Sequence, residues 1–222
     1  MQAVIQRNQV NKIYIFSGLG VDKRVFEKID FGNLDYEFID WIETLKNESL
    51  SEYSKRISRK INTEKPILIG LSFGGMVATE ISKIVETKKV ILIASAKTKN
   101  ELPLLYRLAG KLQLNKLIPS LILKQQNILT NWFFGVQTKE DKELLGKILK
   151  ETDLKFLKWA INEIVNWKNQ QKPQNYFHIH GNNDKIIHIK NVDVNYIVEE
   201  GGHFMTVNKS KEIENILKNA FT

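Results

Sequence analysis

The stretch GLSFGG, residues 70–75, constrains the fold of this chain more than any other feature of its sequence. The run PILI precedes it and the run MVATEISKIV follows it, which is the pattern of a buried strand followed by a helix. Glycines allow such elements to meet closely because they carry no Cβ. The spacing Gly70-x-Ser72-x-Gly74 therefore predicts a tight strand–turn–helix that holds the Ser72 hydroxyl at the carboxyl edge of a sheet. The alternative is a glycine-rich turn that binds phosphate or only packs tightly.

Short β-rich runs alternate with longer helical patterns along the chain. The runs are KIYIF (12–16), YEFID (36–40), PILIG (66–70), VILIA (90–94), NYFHIH (175–180) and VNYIV (194–198). The helical patterns are KRVFEKI (23–29), SLSEYSKRISRKI (49–61), MVATEISKIVET (76–87) and SKEIENILKNAF (210–221). Several runs are apolar at nearly every position, as strands buried on both faces are. We therefore expect an α/β fold with a doubly wound sheet of about six mostly parallel strands and flanking helices.

One connection is much longer than a crossover requires. Residues 97–172 contain no convincing strand and are rich in Leu, Ile, Trp and Phe. Their end, TDLKFLKWAINEIVNW (152–167), predicts an apolar helix with Thr152 or Asp153 as its N-cap. The interpretation is a core formed by residues 1–96 and 173–222, with residues 97–172 inserted as a helical cap.

Composition excludes several classes of function. The chain has no cysteine, which excludes disulfides, thiolate nucleophiles and Cys-ligated zinc. Its net charge is +8, but the lysines are scattered without a basic block or a nucleic-acid motif, so no nucleic-acid partner is expected. No apolar run is long enough to cross a membrane, and the start MQAVIQRNQV lacks the apolar region of a secretory signal. We expect a cytoplasmic protein that does not insert into membranes.

A serine hydroxyl becomes a good nucleophile only with a base and an acid that orients this base. Of the four histidines, His178 and His180 lie within a predicted strand, where packing or hydrogen bonding is expected, and His188 lies in a short apolar stretch. His203, in EEGGHF, follows the last strand at the carboxyl edge and is the candidate base, with a structural histidine as the alternative. Asp184, in HGNND, is the candidate acid, with an Asx-turn role as the alternative. Asp193 is a rival, but it precedes the next strand at the opposite edge.

The order Ser72, Asp184, His203 resembles that of the α/β-hydrolase fold superfamily, and the chain looks like one of its small, capped, esterase-like members. The motifs SGLG, GLSFGG, HGNND and GGHF carry this resemblance over nearly the whole chain. The resemblance implies a catalytic triad, an oxyanion hole formed by the backbone N–H groups of Leu19 and Phe73, and no need for a metal or cofactor. The sequence departs from the family in lacking its N-terminal strand pair and in reading Ser17-Gly18-Leu19 where His-Gly-x is usual.

The resemblance further implies a carboxylesterase that acts on a small or medium apolar acyl ester. Gly18 would let the backbone approach the substrate, and the pocket candidates in the cap are Leu104, Trp132, Phe133 and Phe134. Packing of these four residues onto the sheet is the alternative. The rival functions are hydrolysis of thioesters, lactones or carbon–carbon bonds, cofactor-free lyase chemistry, and a non-catalytic ligand receptor with an intact triad.

Overall fold

A computed structural model describes residues 11–117 and 123–221 of the chain. The expectation drawn from MQAVIQRNQV lies outside these residues. All six predicted strands are confirmed within two residues of the expected bounds. They form one parallel sheet in the order β2-β1-β3-β4-β5-β6. The strands are β1 (Ile13–Phe16), β2 (Tyr36–Phe38), β3 (Ile67–Leu71), β4 (Lys89–Ile93), β5 (Tyr176–Gly181) and β6 (Tyr196–Val198).

The central strands are apolar on both faces because helices cover both sides of the sheet. Every residue of β1 and β3 is buried, and their ladder pairs Ile15 with Ile69. Alternate side chains of β1 enter different cores: Ile13 and Ile15 join one apolar cluster, while Tyr14 and Phe16 join the other. The two edge strands, β2 and β6, are only three residues long. This arrangement brings the carboxyl ends of all six strands to one edge.

The helices of the described chain differ from the expected ones mainly in their bounds. They are α1 (Leu50–Ile57), α2 (Phe73–Ile81), α3 (Leu104–Lys111), α4 (Ile128–Phe134), α5 (Lys139–Glu151), α6 (Leu154–Val165), α7 (Met205–Asn208) and α8 (Ser210–Ala220). Short 3-10 turns cover Lys23–Phe26, Ser58–Lys60, Lys99–Glu101, Leu114–Leu117 and Ile189–Asn191. The helix expected over residues 23–29 is thus wrong in type, because the backbone there closes i→i−3 bonds such as Glu27 N–H to Arg24 O. Helix α2 begins three residues earlier than expected.

Residues 97–172, called the helical insertion below, contain α3 to α6. Asp153 caps α6 by accepting from Phe156 N–H, whereas Thr152 donates its hydroxyl to Gly20 O after β1. Phe134 at the end of α4 accepts from Phe204 N–H after β6. Because Gly20 and Phe204 lie in loops at the carboxyl edge of the sheet, the insertion contacts this edge at these two points. Nowhere in residues 11–117 or 123–221 does a helix combine the length and apolarity needed to span a membrane.

Candidate active site

Ser72 lies between the last residue of β3 and the first residue of α2, in a backbone conformation that side chains seldom adopt. Its φ is 51° and its ψ is −118°. Such strain persists only where surrounding contacts fix it. Here Ser72 N–H donates to Ile93 O on β4 at 2.8 Å, and the Ser95 hydroxyl donates to Ser72 O at 2.6 Å. The neighbouring strand therefore holds the turn that presents the Ser72 hydroxyl.

The three glycines of GLSFGG are required by close packing. A Cβ on Gly70 would lie 2.4 Å from Gly74 O, and one on Gly74 would lie 2.3 Å from Ser17 O. A Cβ on Gly75 would lie 2.3 Å from the Ser95 hydroxyl. Each distance is far inside van der Waals contact, so a side chain fits only if the backbone shifts or, at Gly75, if Ser95 moves. The glycines let α2 start directly against the ends of β1, β3 and β4.

Three residues from three edge loops form one chain of hydrogen bonds. His203 Nε2 lies 2.8 Å from the Ser72 hydroxyl, and His203 Nδ1 lies 2.7 Å from Asp184 Oδ2. Ser72 is half-buried, whereas His203 and Asp184 are buried. The loop after β3 supplies the serine, the loop after β5 the aspartate and the loop after β6 the histidine. The structure thus brings together the three side chains that the sequence singled out.

Asp184 is fixed by its own loop as an ionised acceptor. Its Oδ1 accepts from the backbone N–H groups of Ile186 and Ile187 at 2.8 and 3.0 Å. Burial opposes ionisation of Asp184, but His203 and these hydrogen bonds outweigh it and hold the pKa of the carboxyl below its ordinary value. Only Oδ2 is left to orient His203. The sequence offered two alternative roles for Asp184, an Asx-turn and a partner for His203. The carboxylate has both: Oδ1 forms the turn and Oδ2 contacts His203.

A second chain of buried polar side chains lies behind the Asp184 loop, and sequence reasoning missed its continuity. Lys97 Nζ donates to His178 Nδ1 at 3.1 Å, and it pairs with Glu101 at 2.9 Å. His178 Nε2 lies 3.4 Å from His180 Nδ1, and His180 Nε2 lies 2.8 Å from Ile187 O. Both histidines are fully buried.

One set of tautomers satisfies every group in this second chain. His178 accepts at Nδ1 and donates from Nε2, and His180 accepts at Nδ1 and donates from Nε2. Burial lowers the pKa of both imidazoles, and the Lys97 charge lowers that of His178 further. The neutral histidines therefore connect Lys97 to the carbonyl of Ile187, and the N–H of Ile187 donates to Asp184. The i, i+2 spacing of His178 and His180 on one strand face was the available signal.

The other titratable candidates lie away from Ser72. Asp193 precedes β6 at the opposite edge of the sheet, and its exposed carboxylate lies 3.6 Å from Lys172. His188 is exposed, and its Nδ1 accepts from Lys190 N–H. Among the described residues, no group of three or more histidine, aspartate or glutamate side chains is arranged to hold a metal ion.

Backbone N–H groups next to Ser72 suit a negatively charged oxygen. Phe73 is the first residue of α2, so its N–H has no partner within the helix, and the positive end of the helix dipole lies at the same point. The loop that contains Leu19 reaches this region: a Cβ on Gly18 would lie 3.4 Å from the Ser72 Cβ. Gly20, at φ 69°, takes a left-handed conformation that favours glycine.

The four pocket candidates of the insertion occupy different positions. Phe134 packs edge-to-face on His203, with ring centroids 5.9 Å apart. Phe133 is half-buried, and its ring centroid lies 5.0 Å from that of Trp132. Leu104 and Trp132 are 61% and 55% exposed, so neither is packed onto the sheet. Phe134 therefore contacts the hydrogen-bonded chain directly.

A cleft of about 410 Å³ lies beside the loop of Gly20, between the core and the insertion. Its apolar walls include Trp41, Ile42, Ile148 and Phe156, and charged side chains lie at its rim. The Trp41 ring centroid lies 5.6 Å from that of Phe73, the residue after Ser72. None of the four pocket candidates lines this cleft. Trp41 follows the YEFID strand directly, so the sequence alone could have predicted its position at the carboxyl edge of the sheet.

Comparison with known proteins identifies the fold only through structure. No family profile and no curated protein sequence matches the chain. A thermophilic esterase from Thermogutta terrifontis is similar, with a TM-score of 0.69 at 12% identity over 94% of this chain and 88% of its own. A lipase-esterase related protein from Clostridium acetobutylicum has a TM-score of 0.68 at 15% identity over 96% and 95%. Est816, an N-acyl homoserine lactone degrading enzyme, has a TM-score of 0.66 at 12% identity over 94% and 92%.

Proposed function

The chain has the α/β-hydrolase fold, and from this premise we propose that it is a serine hydrolase that cleaves carboxylic esters. One observation carries the proposal: the hydrogen-bonded chain from the Ser72 hydroxyl through His203 to an ionised, buried Asp184. Hydrogen bonding to a base that a carboxylate orients is the arrangement that makes a serine nucleophilic. The strained backbone at Ser72 is typical of such a nucleophile.

The proposed reaction has two steps. In the first, the Ser72 oxygen attacks the ester carbonyl while His203 Nε2 takes its proton, and the tetrahedral intermediate collapses as the imidazolium protonates the departing alcohol. In the second, His203 takes a proton from water as the water attacks the acyl-serine, and the imidazolium then returns the proton to the Ser72 oxygen as the carboxylic acid departs. Asp184 remains ionised in both steps and stabilises the imidazolium. The N–H groups of Leu19 and Phe73 would bind the oxyanion, a role worth about 3 kcal/mol for each donor.

The cleft beside Gly20 supports an apolar acyl group of small or medium size. Five aromatic or branched aliphatic side chains form its apolar wall, charged residues and threonines complete the lining, and its volume of about 410 Å³ lies near the lower end for ligand sites. Cyclic esters are a second substrate class, because a lactone-degrading enzyme is among the structural neighbours. Thioester and carbon–carbon hydrolysis, or lyase chemistry, would use the same three side chains and are separated from ester hydrolysis by product analysis. A non-catalytic receptor would turn over none of these.

The test is labelling with a fluorophosphonate probe, followed by mass-spectrometric mapping of the modified peptide. We expect modification at Ser72 that is lost in the Ser72→Ala and His203→Ala variants. Ser72→Ala should also lower ester turnover by at least about 10⁴-fold. The matched control is Ser51→Ala, which removes an exposed hydroxyl of α1 that takes no part in the hydrogen-bonded chain. A well-folded protein that turns over esters equally with and without the Ser72 hydroxyl would contradict the proposal.

A further inference from the structure

Helix α3 presents a row of leucines to solvent. Leu104, Leu105, Leu108 and Leu112, called the leucine face below, lie within about 100° of arc on this helix and its C-cap. Their exposed fractions are 61%, 72%, 45% and 65%. Isolated surface leucines are ordinary, but a row of four on one helix face marks an interaction site.

The other side of α3 fixes this orientation. Gly110 packs so closely on α6 that a Cβ there would lie 2.3 Å from Val165 O. Tyr106 is half-buried on the same side, and burial together with the Asp184 charge raises its pKa. The small and aromatic residues of α3 therefore face the protein, and the leucines cannot turn inward without breaking the contact at Gly110.

A second apolar group lies on α4 of the same insertion. Ile128, Leu129 and Trp132 are 89%, 60% and 55% exposed. Trp132 reaches the loop of the candidate site, where Lys185 Nζ lies 5.9 Å from its ring centroid. Tryptophan combines an apolar ring with a polar N–H and favours the boundary between lipid and water.

The charge of this region has one sign. Between Glu101 and Glu140 the sequence contains no acidic residue and five basic ones: Arg107, Lys111, Lys116, Lys124 and Lys139. Within the part of the chain that the structure describes, Arg107, Lys111 and Lys124 form no ion pair. On α6, the neighbouring helix, Glu163 is occupied by Leu50 N–H and Asn162.

We propose that the leucine face docks the protein on a lipid surface that carries anionic headgroups. An amphipathic helix with apolar residues on one face and basic residues at its flanks has the chemistry to lie in such an interface. A second copy of the chain fits less well, because a symmetric contact would bring Arg107 and Lys111 opposite the same cations. The docking is peripheral and does not rest on the proposed hydrolase activity. It would place the edge of the sheet that carries Ser72 toward the membrane.

Cosedimentation of the full chain with vesicles tests this inference. Vesicles of phosphatidylcholine alone are compared with vesicles to which phosphatidylglycerol has been added, at low and at high salt. We expect binding to the anionic vesicles, weakened by salt, and little binding to the neutral ones. The double variant Leu105→Glu, Leu108→Glu should lower the partition coefficient at least about fiftyfold, and Lys111→Gln should lower it about fivefold.

Matched controls separate docking from general surface chemistry. Ile84→Glu changes an apolar residue that is 53% exposed outside the insertion, and Lys88→Gln removes an exposed cation there. Both should bind as the parent does, and far-UV circular dichroism checks that every variant folds. Equal binding to neutral and anionic vesicles, or no binding to either, would overturn the proposal. A dimer that dissociates in the leucine variant, without vesicle binding, would assign the face to a second copy instead.

Discussion

At the scale of single residues, the least expected feature is the fully buried lysine behind the Asp184 loop. Lys97 is 0% exposed, and its ammonium is satisfied by Glu101, by His178 and by the carbonyl of Asp193. A buried charge is tolerated only when it is paired and hydrogen-bonded in this way. The two neutral histidines connect Lys97 by hydrogen bonds to Ile187 O, and Ile187 N–H binds Asp184. The position of Asp184 therefore depends on side chains outside the Ser72–His203 pair.

The first prediction concerns the pH dependence of stability. The folded protein keeps His178 and His180 neutral, because burial lowers the pKa of both, whereas the unfolded chain binds protons near pH 6.5. Stability should therefore fall as the pH is lowered through about 6.5, by up to about 1.4 kcal/mol per pH unit for each histidine. Urea unfolding between neutral and mildly acidic pH measures this slope.

A pair of variants assigns the slope to its residues. His178→Gln should flatten it, whatever its effect on stability at neutral pH. His188→Gln should leave it unchanged, because His188 is exposed. An equal slope in the His178 variant would show that other groups dominate acid unfolding.

The second prediction concerns the cleft. Ile42→Trp should narrow the cleft and lower kcat/KM for medium-length acyl esters at least about tenfold more than for acetyl esters. Leu45→Trp is the matched control, since Leu45 lies in the same loop, is 56% exposed and does not line the cleft. A nitrophenyl ester series measures both variants. Parallel loss on all chain lengths would place the acyl group elsewhere.

The sequence predicted which residues meet at the edge of the sheet better than which residues form the cleft. Ser72, Asp184 and His203 each follow a strand, and parallel strands bring such positions together whatever the details of packing. The cleft joins Trp41 to Ile148 and Phe156, whose contact depends on how the insertion packs on the core. No local pattern encodes that packing, and the candidates Leu104 and Trp132 chosen from the sequence do not line this cleft.

At the scale of elements, the turn between β3 and α2 explains an early helix start. The Ser72 carbonyl accepts from the N–H groups of Gly75 and Met76, so helical bonding begins at the elbow itself. The sequence pattern placed the start at Met76, because glycines have low helix propensity. The packing that fixes this turn thus overrides local propensity.

The third prediction compares two glycines. A methyl group on Gly74 would meet the backbone carbonyls of Ser17 and Phe16 at 2.3 and 2.4 Å, so Gly74→Ala should lower the free energy of unfolding by about 3 kcal/mol or more. Gly32→Ala is the control: its φ is 58°, but nothing lies within 4 Å of the added Cβ. It should cost only about 1 kcal/mol. Urea unfolding of both variants measures the difference, and similar losses would contradict the packing argument.

At the scale of the whole molecule, the insertion is joined to the core along its length. The buried Trp167 indole donates to Glu80 on α2 at 2.8 Å. The Thr152 hydroxyl donates to Gly20 O at 3.1 Å, and Phe204 N–H donates to Phe134 O at 2.9 Å. Leu145 and Ile148 of α5 belong to the same apolar cluster as β1 and α8.

The fourth prediction follows from these contacts. The insertion and the core should unfold together in urea, because neither can separate without exposing shared apolar surface. Tryptophan fluorescence and far-UV circular dichroism should give coincident midpoints. The Trp132→Phe variant, which removes the exposed indole of the insertion, should not change the fluorescence midpoint. Two separated transitions would show that the insertion is an independent unit.

The brevity of the two outer strands bears on how the protein behaves when it is crowded. A strand from another molecule could pair only with the three residues of β2 or the three residues of β6. Such short edges support no lasting β-pairing. The strands that are buried at every residue, β1 and β3, lie inside the sheet. Precipitation of concentrated solutions should therefore originate from the exposed leucines, and surface redesign for solubility has its target on α3 and not at the sheet margins.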